Sequence, residues 1–147
     1  MDILAQYKTP TISMTAYAAG AAIGPPQVLD RALANDGTGM IRHVTVTEKG
    51  SSKLAFTIVI LSVNPGNIAD NSTPDLSPFQ QNVVARVAVA SSDYLTVGNL
   101  SIADIEVSRL VQGPPGPLWA VVVSTGNTSA PSGVNVLTFG YGMIRGG

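Results

Sequence analysis

His43 is the only histidine in the chain, and a single imidazole can serve as general base when a serine and a carboxylate flank it. No Gly-x-Ser-x-Gly elbow is present to expose a nucleophile. The place of His43 beside Thr45 and Thr47 in an alternating stretch reads instead as a structural strand position. Asp104 and Glu106 have the chemistry of a glycosidase carboxylate pair. Their spacing of two sets them on one face of a strand, where solvation accounts for them better. Asp70, Asn71 and Asp75 are hard oxygen donors of the kind Ca²⁺ takes, but their spacing is not that of an EF-hand, and turn capping by Asx side chains explains them as well. Trp119 and Tyr141 are candidates for an aromatic platform that stacks on sugars, although a tryptophan inside LWAVVVST reads most simply as core. Asn71, Asn99 and Asn127 begin Asn-x-Ser/Thr sequons, which are unsurprising in a chain rich in Ser and Thr. Taken together, these residues predict no catalytic, metal or cofactor site, and the chain is not expected to be an enzyme.

The elements that would position these residues are strands. Residues 54–63 form the longest apolar run, and the β-branched Thr57, Ile58, Val59, Ile60 and Val63 disfavour a helix. Leu54, Phe56, Ile58 and Ile60 fall on one face of this strand, and Ala55, Val59, Leu61 and Val63 on the other. Both faces therefore need cover: one from a second layer of the domain, the other from more protein, such as another subunit. Asn64-Pro65-Gly66 ends the run. Further strands are predicted at 27–33, 39–48, 83–90, 94–97, 102–111, 118–125 and 134–144. In 39–48, Met40, Val44 and Val46 are expected to share one face and Ile41, His43, Thr45 and Thr47 the other. In 102–111, Ile105, Val107 and Val111 oppose Asp104, Glu106 and Ser108. Lys49-Gly50-Ser51-Ser52 reads as a hairpin turn joining 39–48 to 54–63 as antiparallel partners. The loop 64–78 is long, and 77–81 has the pattern of one helical turn with Ser77 as N-cap and Pro78 at N1. No stretch longer than about ten residues shows helical periodicity free of Gly and Pro. The pattern predicts an all-β, single-domain antiparallel sandwich or jelly roll over residues 25–147, preceded by an N-terminal arm or edge strand at 1–24.

Composition limits the partners. A formal net charge of −1 and a pI near 5.6 leave no electrostatic footprint for nucleic acid or an anionic membrane. No apolar run approaches the roughly 18 residues of a membrane-spanning helix. MDILAQYKTP lacks the features of a signal peptide, so secretion by the general route is not expected. The absence of cysteine excludes disulfides and thiolate metal sites. Charged residues are 12% of the chain, against about 25% in an average soluble protein. Either neutral Ser, Thr and Asn solvate the surface, or part of it is buried in an assembly.

The order of several motifs resembles a known family. AYAAGAAIG, GTGMIRHVTVTEKG, ILSVNPG, DNSTPDLS, ASSDYLTVGN and LWAVVVSTGNTS, spanning residues 16–144, resemble the capsid decoration or cement proteins found among the head genes of tailed bacteriophages. The resemblance implies a β-sandwich that assembles as a small oligomer, a trimer, on the outer surface of the shell and ties the major capsid protein together. With that implication, residues 1–24 are expected to act as an arm that contacts a neighbouring subunit or the capsid through Tyr7, Ile12, Met14 and Tyr17. Removing residues 1–20 should then leave the β-domain folded. The competing reading is a receptor- or carbohydrate-binding β-sandwich module of a phage tail or fibre.

Overall fold

The computed structural model describes residues 2–145; positions 1, 146 and 147 of the expected arm and domain lie outside the described residues. The strands are β1 Asp2–Lys8, β2 Gln27–Leu33, β3 Thr38–Lys49, β4 Phe56–Leu61, β5 Val83–Val89, β6 Tyr94–Val97, β7 Leu100–Gln112, β8 Gly116–Ser124 and β9 Leu137–Arg145. They form two antiparallel sheets, sheet A in the order β1-β9-β3-β7-β6 and sheet B in the order β2-β8-β4-β5. Setting aside the short β6, which pairs only with the start of β7, most successive strands alternate between the sheets, and the last strand to join each, β9 or β8, slots between two earlier ones. That winding is a jelly roll.

Alternation builds the core. Phe56, Ile58 and Ile60 of β4 and Leu118, Ala120 and Val122 of β8 face Val44 and Val46 of β3 and Phe139, Tyr141 and Met143 of β9. The rings of Phe56 and Phe139 meet edge-on at 5.5 Å across the two sheets. Tyr141 donates its phenol to Gln27 Oε1 at 2.8 Å, which satisfies a buried hydroxyl inside the sandwich.

Four sequence expectations are corrected. The β3–β4 hairpin does not form, because the two strands lie in different sheets. Residues 49–53 cross the sandwich instead. The crossing is held by buried Glu48, whose Oε1 accepts the Lys53 N–H at 2.8 Å, and by Lys53 itself at φ 49°. The faces of β3 are also reassigned: the register shifts between Ile41 and His43 against both neighbouring strands, so buried Ile41 joins Val44 and Val46 in the core. One extra residue in a ladder inverts the alternation beyond it. The turn after the long loop is a 3-10 helix, Ser77–Asn82, with Leu76 rather than Ser77 at its N-cap. Asp75 does the capping, its Oδ1 accepting both the N–H and the O–H of Ser77 at 3.0 and 2.6 Å.

The fourth correction concerns the second face of 54–63. Leu61 and Val121 point away from the core, yet they are 0% and 1% exposed. Their cover comes from the same chain. After Leu61 the backbone runs to residues 71 and 72, where the Asn71 N–H donates to the Ala22 carbonyl and the Ala22 N–H to that of Ser72. Ala22 is itself bridged to Val123 on the far side of β8 from β4. The chain then returns to Asn82, whose carbonyl accepts the Ser62 N–H at 2.9 Å. The path is a diagonal across the outer face of sheet B and back.

Candidate assembly surface

Residues 1–24 contain the edge strand β1, which runs in unbroken register with β9 from Asp2 opposite Arg145 to Lys8 opposite Phe139. The chain after β1 packs onto its own domain. Ile12 and Tyr17 are 2% and 1% exposed, whereas Tyr7 and Met14 are open to solvent. Of the four expected contact residues, only Tyr7 and Met14 are therefore available to a partner. Removing residues 1–20 would strip an edge strand and buried side chains from the fold.

Asp70 holds this region to the long loop. Its Oδ1 accepts the Tyr17 phenol at 2.6 Å and the Gly24 N–H at 2.7 Å, and its Oδ2 accepts the Ser13 N–H at 2.7 Å. Burial first, then the neighbouring Asp70 carboxylate, push the Tyr17 phenol well above its ordinary pKa. The carboxylate thus serves the backbone. Asn71, beside it, occupies the left-handed region at φ 62° and donates Nδ2 to Thr15 Oγ1. Asp75 is committed to Ser77, whose two hydrogen bonds hold its carboxyl below the usual range. Among the described residues no group of three or more His, Asp or Glu side chains is placed to hold a metal ion.

The remaining chemical candidates lie on the outer face of sheet A or are separated by the fold. His43, exposed on β3, stands between Gly142 of β9 and Glu106 of β7. Its ring lies over Gly142 so closely that a Cβ there would collide with it, and the Tyr7 ring covers Gly140 in the same way. The two glycines are bare because aromatic rings cover them. Asp104 and Glu106 do share the outer face of β7, and Asp104 accepts the Thr45 hydroxyl at 3.0 Å. The His43 imidazole makes no hydrogen bond among the described residues, so neither a serine nor a carboxylate orients it as a base. Trp119 and Tyr141 belong to different sheets. Tyr141 is core, while Trp119 faces outward on β8 between Val28 and Leu61 and is half-buried, which corrects the core reading of the tryptophan.

What the sequence did not single out is an apolar row across four strands of sheet A. Registers place Ile3 beside Ile144, Ile144 beside Met40 and Met40 beside Leu110. Ile3 is 80% and Leu110 73% exposed. At the diagonal corner, exposed Leu95 and Val97 of β6 stand next to Ile102 and Leu100 of β7. Arg42, His43, Asp104 and Glu106 line a polar hollow between the two apolar zones. Exposed apolar patches edged by polar residues mark contact surfaces.

No family model matches the chain. No curated protein matches it by sequence. Among solved structures, it is similar to a chain of infectious bursal disease virus Gx strain, at 14% identity and a TM-score of 0.39 over 97% of this chain and 31% of that one. It is also similar to the infectious bursal disease virus VP2 subviral particle, at 15% identity and a TM-score of 0.35 over 99% of this chain and 38% of that one. The chain therefore spans about a third of the length of those chains.

Proposed function

We propose that this protein is a structural component of a virion, a decoration protein that binds the outer surface of a tailed-phage head and stabilises the shell. The carrying observation is the outer face of sheet A, where exposed Ile3 and Leu110 flank half-buried Ile144 and Met40 in one apolar row. The jelly-roll winding and the motif order that resembles phage decoration proteins support the same reading. Its partners are the major capsid protein and further copies of this chain, three in the assembly that the resemblance implies. It is not an enzyme in this reading: His43 covers a glycine, and Asp70 caps backbone donors. The aromatic platform that would favour a sugar-binding module is not assembled, since Trp119 and Tyr141 lie in different sheets. Stabilisation follows from linkage. A protein that binds the closed lattice but not its dissociated subunits adds its binding free energy to the lattice.

The test mixes the protein with undecorated heads, sediments them, and heats the pellets while genome release is followed. Wild type is expected to co-sediment and to raise the release temperature. Leu110→Lys, folded by circular dichroism, is expected to lose both effects. Absence of wild-type binding overturns the reading.

A further inference from the structure

We propose that β1 is a pairing edge whose occupant is β1 of a second copy of this chain, joined antiparallel about a two-fold axis through Ala5. The sheet edges of this sandwich are guarded unequally. β2 breaks register between Leu29 and Leu33, with Arg31 at φ 54°. β5 breaks register opposite Ile60 and Leu61 and carries Arg86. β6 is only 4 residues long, and the length of β7 beyond it carries Ser108 at φ 49° among Asp104, Glu106 and Arg109. Bulges, charges and short strands are the devices that stop edges from pairing. β1 has no bulge, and its charges stand only at its two ends. It is 7 residues of unbroken register, with no Pro or Gly and no charge between Asp2 and Lys8. Among the described residues, no backbone hydrogen bond reaches its open edge, and its tie to β2 runs through the Gln6 side chain to the Asp30 backbone.

The strand's own sequence selects its occupant. Antiparallel pairing centred on Ala5 sets Asp2 opposite Lys8, Ile3 opposite Tyr7, and Leu4 opposite Gln6, and the two-fold axis repeats each pair. Ile3 and Tyr7, 80% and 73% exposed in the single chain, come together twice on the outer face. A register shifted by one would oppose outward-facing Ile3 to inward-facing Gln6 and forfeit both matches. Pairing in the stated register joins two five-stranded sheets into one and extends the apolar row across the axis. A three-fold assembly would use a different surface, and β1 pairing would then link one assembly to the next. The inference does not depend on the decoration reading.

The chain has no cysteine, so single introduced thiols report the register without background. Side chains directly opposite in an antiparallel pair have Cβ atoms about 4.5–5.5 Å apart, close enough for crosslinking under mild oxidation. Full-length Ala5→Cys is expected to give a covalent dimer as its main product. Ile3→Cys alone and Tyr7→Cys alone are expected to stay uncrosslinked, whereas an equal mixture of the two gives the mixed dimer. Circular dichroism establishes that each variant is folded. Equal crosslinking by all three single variants, or none by Ala5→Cys, overturns the proposal. If the introduced thiol of Ala5→Cys is shielded only when undecorated heads are added, the occupant is capsid protein and self-pairing is wrong.

Discussion

The two sheets bury their inner faces in the same way and treat their outer faces in opposite ways. On sheet B, Leu61 and Val121 are as dry as the core because residues 62–82 cross over them and are pinned at Asp70 and Ala22. On sheet A, Ile3 and Leu110 stand in solvent. Apolar side chains on both faces of a strand establish that cover is needed, but not who supplies it. Here one sheet is covered from within, and the other is open.

Substitutions on the two faces should separate these cases sharply. Leu61→Ala, beneath the chain's own cover, is expected to cost about 3 kcal/mol of folding stability, as for other fully buried leucines. A shift in the urea midpoint at constant slope would measure it; a loss below about 1 kcal/mol would mean that the cover is loose. Asp70→Ala leaves the Gly24 N–H and the Tyr17 hydroxyl without their acceptor and the Ser13 N–H with only its 3.2 Å bond to Tyr17 Oη, at an expected cost of about 2 kcal/mol. Hydrogen exchange should then accelerate in residues 62–82 and 12–24 ahead of the β-sheets, and uniform acceleration would show that the loop is not a separate unit.

Smaller effects are expected on the bare face. Gly142→Ala pushes a methyl into the His43 ring and should cost about 1 kcal/mol, mostly recovered in the double variant with His43→Ala. Additive losses in that cycle would show that the ring does not rest on the glycine. Leu110→Ser should change stability by less than about 0.5 kcal/mol, because the side chain is 73% exposed. A large loss there would show that sheet A already has a cover in solution.

The strands were legible because alternation and turn residues mark them, and the all-β class followed. Three features left no such mark. The extra residue at Arg42 is an ordinary side chain in an ordinary strand, so nothing distinguishes a bulge from continued alternation, and alternation alone puts Ile41 on the wrong face. Lys49-Gly50-Ser51-Ser52 has the composition of a hairpin turn, and a crossing between sheets uses the same residues. The distinguishing contact, Glu48 to the Lys53 N–H, requires burial of a charged side chain that sequence patterns place at the surface. The Tyr17–Asp70 bond joins positions 53 apart, beyond the reach of local periodicity. For the candidate site, Tyr7 was marked by its type, whereas the apolar row emerged only once the registers of four strands were aligned.

The position of β9 bears on how the molecule is made. It is the last of the described strands and fills the second place in sheet A, pairing with β1 on one side and β3 on the other. During synthesis β1 and β3 therefore flank a vacant slot until residues 137–145 have been made. Throughout that interval each strand offers a naked ladder to any neighbouring nascent chain, and β1 offers two. Crowded polysomes are thus the setting in which wrong pairing would be commonest. Closure of the sandwich therefore waits on residues 137–145, in whatever order the other strands pair.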